Sequence, residues 1–162
     1  MAYTVKVDIA APIGSVWKAW TRAEETQKWL APKAVIEFKP GGAYEFFWNE
    51  DPRIDSTLGC KLLRLQPERG LIFEWQGKEE FLSMFLPPEG TRTIIKVIFS
   101  ANQMRTSVTV EQEETRDLPN WEAYDSWMSG AWNMALASLK GHCEGRKQLP
   151  YWESSPRTDQ SL

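Results

Sequence analysis

Side chains able to do chemistry are few in this chain, and their spacing limits what they can do. The single histidine, His142, precedes Cys143 in the run GHCEG, near the end of a long helical pattern. Positions i and i+1 on a helix do not face each other, so the two do not form a base–nucleophile pair. His142 is expected to meet terminal helix carbonyls or water instead. Cys60, the other cysteine, lies far away in sequence with no CxxC spacing. One histidine and two distant cysteines make no metal-ligand set, so no metal and no other cofactor is expected. Among the carboxylates, Glu45 and Glu74 fall in strand patterns, while Glu122 and Asp125 fall near the start of a helix. That helical pair reads as a solvated face, or as acids favoured at a helix N-terminus. The run KPGG (39–42) precedes a strand rather than a helix and so lacks the context of a phosphate loop. No catalytic residue is assigned, and the reading leans away from an enzyme.

What the chain has in excess is rings, including nine tryptophans. They concentrate in AYEFFWN (43–49) and LIFEW (71–75), each interrupted by one glutamate. Side chains alternate faces along a strand, which groups Tyr44, Phe46 and Trp48 against Glu45, Phe47 and Asn49. The same rule groups Leu71, Phe73 and Trp75 against Ile72, Glu74 and Gln76. An unpaired buried carboxylate is costly, so both glutamates are expected to face water and the rings to face inward. Later strands repeat the pattern with Ile95, Val97 and Phe99, then with Thr106, Val108 and Val110. Trp127, Met128 and Trp132 would join them from the final helix. Such a stripe either fills a core or walls a pocket for a small molecule. Composition alone favours core filling.

The elements that carry these residues follow from periodicity. YTVKVDI (3–9) alternates as a half-buried strand, and Ala11-Pro12 ends it. Ile13, Val16, Trp17 and Trp20 then recur at helical spacing over 12–21, with Pro12 at the helix start. A second short helix over 23–29 stops before Ala31-Pro32. Strands are expected at 35–38, 43–49, 56–65, 71–76, 93–100 and 105–113, joined by short turns into an antiparallel meander. From Asp117 to Lys147 the period becomes helical and places Trp121, Tyr124, Met128, Trp132, Ala135, Leu136 and Leu139 on one face. The apolar run FLSMFL (81–86) reads as an extra edge strand, a lid or a homodimer contact. This is an α+β layout whose sheet can be covered only by the last helix. Residues 1–147 are expected to form one domain, and 148–162 a flexible polar tail.

At this length one core buries roughly 70% of the unfolded surface. Nineteen basic against 22 acidic residues give a net charge of −3, with no basic run, which argues against nucleic acid. No stretch approaches the ~20 apolar residues of a membrane span, and none reads as a signal peptide. A soluble, cytoplasmic protein with free thiols is expected.

The segments IAAPIGSVWKAWT (9–21), KWLAPKAVIEFKPGGAYEF (28–46), RGLIFEW (69–75) and WEAYDSWMSGAWNMALASLK (121–140) resemble, in order, the START-like helix-grip (SRPBCC) superfamily that includes the birch-pollen allergens. Within it the chain is most similar to proteins like the C-terminal domain of the activator of the 90-kDa heat-shock protein ATPase. The resemblance implies a curved antiparallel sheet wrapped around the long C-terminal helix, with two short helices after the first strand. It also implies a cavity between sheet and helix, used by various members for lipids, sterols or polycyclic aromatic compounds. On that ground the expected ligand-binding residues are Tyr44, Phe46, Trp48, Phe73, Trp75, Val97, Phe99, Val108, Val110, Trp127, Met128 and Trp132, and the expected partner is a hydrophobic small molecule. Two alternatives stay open. One is a chaperone co-factor-like module acting through an outer surface around Phe47 and FLSMFL, although 162 residues leave no room for the N-terminal domain of the eukaryotic activators. The other is a cyclase-like enzyme using Tyr44, Thr106, Tyr124 and Asp125 inside the cavity.

Overall fold

The computed structural model describes residues 2–76, 92–113, 121–148 and 150–152, so FLSMFL and most of the polar tail lie outside the described residues. Strand β1 (Tyr3–Ile9) leads into α1 (Ile13–Thr21), with Pro12 as the extended N-cap residue. Helix α2 (Ala23–Trp29) follows at once, with Glu24 and Glu25 in its first turn, where the helix dipole favours acids. β2 (Lys33–Ile36) and β3 (Tyr44–Phe47) form a hairpin through KPGG, in which Gly41 adopts φ 82°, a conformation that suits glycine. β4 (Leu62–Gln66), β5 (Gly70–Trp75), β6 (Thr93–Asn102) and β7 (Arg105–Gln112) precede the long helix α3 (Trp121–Cys143).

The five long-range strands pair antiparallel in the order β1-β7-β6-β5-β4, while β2-β3 forms a separate two-stranded sheet. Single bridges, Ala43↔Lys61 and Phe47↔Ser56, tie the hairpin to the chain before β4. β4 is shorter than the expected 56–65, and side chains supply the reason. The Phe46 amide donates to Thr57 Oγ1 at 2.8 Å, and the Gly59 amide donates to Glu45 at 2.9 Å. Residues 56–60 thus run beside β3 on these side-chain bonds interleaved with backbone bonds, from the Thr57 amide to the Phe46 carbonyl and from the Tyr44 amide to the Cys60 carbonyl, and not on a continuous ladder.

The inward faces read from parity pack as one core. Val5 and Ile9, Leu71 and Phe73, Ile95, Val97 and Phe99, and Val108 and Val110 are buried against Tyr124, Met128, Trp132, Ala135, Leu136 and Leu139 of α3. The outward acids do as their position demands: Glu45 and Glu74 accept the backbone amides of Gly59 and Lys61. Phe47 departs from expectation. It is only 5% exposed, with the Lys33 ammonium 5.6 Å above its ring, so Phe47 itself offers no outer surface. β3 lies between its partner β2 on one edge and residues 55–57 on the other.

The C-terminal end of α3 closes the free edge of β1. Lys140 Nζ donates to the Asp8 carbonyl at 2.7 Å, and the Ala10 amide donates to Glu144 at 2.8 Å. Next to this, His142 Nε2 lies 2.8 Å from Glu25 Oε1, joining α3 to α2 in place of the expected carbonyls or water. The His142 hydrogen bond holds the Glu25 carboxyl below its ordinary range. A depressed folded pKa gives stability that is present above the unfolded carboxylate pKa of about 4.3 and is lost as pH falls through the folded value. Urea midpoints measured downward from pH 6 should therefore drop on the acid limb, and Glu25→Gln should flatten that drop. An identical acid limb in the variant would show that the pair contributes nothing.

Candidate functional site

A belt of rings crosses the interior. Tyr44 packs on Phe46 at 4.9 Å and on Phe73 at 4.7 Å; Phe46 meets Trp75 at 5.7 Å; Trp75 meets Trp132 at 4.9 Å. Trp20 continues the belt, 6.0 Å from Trp132 and 4.8 Å from Trp29. On this side the interior is solid. Tyr44 even spends its hydroxyl on the core, donating to the Trp20 carbonyl at 2.7 Å.

The belt opens at one end. Between the first half of α3, the end of β5 and the loop after β3 lies a cleft of about 690 Å³. Of the twelve residues expected at a ligand site, Trp48, Trp75, Trp127, Met128 and Trp132 line it. The other seven, Tyr44, Phe46, Phe73, Val97, Phe99, Val108 and Val110, are buried in the packed core and take no part in the lining. Asp55, Ser56, Gln76 and Ser126 supply the polar groups of the wall.

Two lining rings come from the segment expected to be a polar tail. Gly145, at φ 74°, ends α3 in a left-handed turn, closed by hydrogen bonds from the Arg146 amide to the Gly141 carbonyl and from the Gly145 amide to the His142 carbonyl. The chain then runs back along α3. Gln148 Nε2 donates to the Ser138 carbonyl at 2.8 Å, and Gly141 leaves room for the Gln148 side chain. This path brings Tyr151 and Trp152 to the cleft, where burial raises the Tyr151 hydroxyl pKa well above its usual value. The sequence signal was there: a glycine past the helix end, followed by the pair YW in otherwise polar surroundings.

The groups weighed for catalysis are used elsewhere. Thr106 donates to the Ala11 carbonyl at 2.9 Å. Asp125, expected on a solvated helix face, is instead 6% exposed and accepts from Gln112 Nε2, which in turn is bonded to Tyr3 through its carbonyl oxygen. The apolar arc of α3 is wide enough that Asp125 turns toward the end of β7, where Gln112 meets it. Neither these residues nor Tyr44 and Tyr124 line the cleft. Burial pushes the Cys60 thiol up to about 11 and the Cys143 thiol up to about 12, so neither carries a ready thiolate. Among the described residues no cluster of His, Cys, Asp and Glu could hold a metal ion, and no helix is long and apolar enough to cross a membrane.

An antiparallel sheet, two short helices after the first strand and a long final helix closing over the sheet define a helix-grip protein. Residues 10–144 match the sequence profile of the family described as Activator of Hsp90 ATPase homolog 1-like protein, and the chain belongs to that family. Solved structures share the fold. Protein MLL2253 of Mesorhizobium loti aligns with a TM-score of 0.68 at 18% identity, over 90% of this chain and 100% of that one. The Aha1 dimer of Colwellia psychrerythraea aligns at 0.64 and 19%, over 90% and 97%. CalU16 of Micromonospora echinospora aligns at 0.67 and 19%, over 97% and 78%. At these identities the likeness is one of fold. Comparison with curated proteins finds no significant match.

Proposed function

We propose that this protein binds a hydrophobic, ring-bearing small molecule in the cleft, without catalysis of its own. The observation that carries the reading is the cleft itself. Its volume of about 690 Å³ falls within the ~300–1,000 Å³ usual for ligand sites, and five tryptophans, Trp48, Trp75, Trp127, Trp132 and Trp152, stand in its wall. Rings packed without voids would give the molecule stability and no opening, as they do a few ångströms deeper around Tyr44 and Phe73. The binding residues are therefore the five at the open end, with residues 1–147 forming one domain and Tyr151 and Trp152 completing the wall. Two free cysteines accord with a cytoplasmic setting.

Indole N–H signals titrated with a panel of flat aromatic compounds and fatty acids test this reading. Saturable shifts are expected at Trp75, Trp127 and Trp132, with Trp17 unmoved at the other end of the core. Hits that map to Trp17, or no saturable binding at all, would remove the cleft from consideration.

A second reading rests on the family to which the chain belongs. As a chaperone co-factor-like module it would act through its outer surface and need no ligand, and it would self-associate as the Colwellia Aha1 does. Purified 90-kDa chaperone retained by the immobilised protein, equally well with Trp48→Ala, would favour this reading over the first.

A further inference from the structure

We infer that the occupant of the cleft is an organic cation, an ammonium group carried on an apolar body. The inference rests on the cleft being a binding site and adds the charge of what it binds. An aromatic face is electrically negative, most strongly in tryptophan, and rings set at angles to one another form a box that holds a weakly hydrated cation. Trp48 and Trp75 meet edge to face at 6.1 Å and 75°, and Trp75 and Trp132 meet at 4.9 Å and 45°. Three successive rings thus meet at different angles beside one opening, with Trp48 half-buried and Trp75 and Trp132 presenting only their margins to it.

Formal charge in the wall points the same way. Asp55 is the one ionisable acid among the described lining residues, and none of them is lysine, arginine or histidine. The Asp55 side chain makes no hydrogen bond and no ion pair among the described residues; only its backbone carbonyl is used, by the Trp48 amide at 3.2 Å. Arg53, the loop's own cation, is held away from it. Its Nε and one terminal nitrogen each lie 3.1 Å from the Asp51 carboxylate. Asp55 also sits at φ 46°, in the left-handed region that aspartate and asparagine tolerate better than other residues with a Cβ. A lone carboxylate in an otherwise uncharged wall attracts a cationic occupant and repels an anionic one. A neutral ring gains nothing from Asp55, whereas an ammonium group does.

Three probes of matched shape separate charge from fit: benzyltrimethylammonium, its uncharged isostere neopentylbenzene, and phenylmethanesulfonate, each titrated at low salt against the indole N–H signals. The cation should bind about tenfold tighter than the isostere, and the anion weakest of the three. Asp55→Asn should cut the cation-to-isostere ratio by about threefold or more; asparagine also tolerates the left-handed backbone, so the loop keeps its path. Equal binding of cation and isostere, tighter binding of the sulfonate, or an unchanged ratio in Asp55→Asn would each overturn the inference while leaving an apolar binding site standing. Saturation by none of the three would take the binding reading down with it.

Discussion

Trp20→Ala should lower the free energy of unfolding by about 3–5 kcal/mol, a large share of the total for a domain of this size. Trp20 is fully buried where α1, β5, β6 and α3 meet. Its ring lies 4.8 Å from Trp29, 6.0 Å from Trp132, 6.1 Å from Phe99 and 6.4 Å from Phe73. Truncation would strip contacts from four rings on four elements, and those rings cannot close the gap. Each is stiff, and several are already fixed: Trp29 Nε1, for one, donates to the Ala19 carbonyl at 2.7 Å. Trp20→Phe should cost far less. It keeps most of the ring volume and removes an indole N–H that finds no acceptor among the described residues. Urea unfolding checks both variants, with the slope compared so that a change in the unfolded state is not mistaken for a core effect. A loss under 1 kcal/mol for Trp20→Ala would mean that this part of the belt is loosely filled and that the division between solid core and open cleft is misplaced.

That division was the part the sequence concealed. The period of a strand determines which side chains point inward, so Phe46, Phe73, Val97, Phe99, Val108 and Val110 could be placed on the inner face from residue order alone. Whether inward rings touch or stand apart depends on where α3 crosses the sheet, and no local pattern encodes that. Phe73 and Trp75 share one strand and one face, yet Phe73 is sealed while Trp75 borders the cleft. Asp125 was misread for a related reason. Helical spacing puts it beside Glu122 near the N-terminus, but its partner Gln112 comes from a strand that only tertiary packing brings near. Phe47 shows the converse, since parity turns it to the face opposite Phe46 and the ring is nonetheless buried, with the Lys33 ammonium over it. Tyr151 and Trp152 needed the reversal at Gly145 before they could count as part of any site.

Trp75→Ala should weaken binding of a cleft ligand by about tenfold to a hundredfold, while Phe99→Leu should leave it within about twofold. The first figure follows from removing one large ring face from a buried contact, worth about 1.5–3 kcal/mol. Trp75 touches Trp48 and Trp132 on the cleft side and Phe46 and Phe73 on the core side, so its loss costs stability as well. Binding must then be measured on protein shown to be folded, and Trp48→Ala gives a second variant whose partly exposed ring carries less of the core. Phe99 is the matched comparison. It belongs to the same inward face, but it packs 5.4 Å from Trp17 at the closed end, and its ring borders no open space of the cleft. If Phe99→Leu weakened binding as much as Trp75→Ala, the ligand would have to reach into what is now solid core, and the inner face would act as one continuous wall. If Trp48 and Trp75 alone mattered, the same set of rings would be doing two jobs along its length, with contact between rings deciding stability at one end and the space between them deciding recognition at the other.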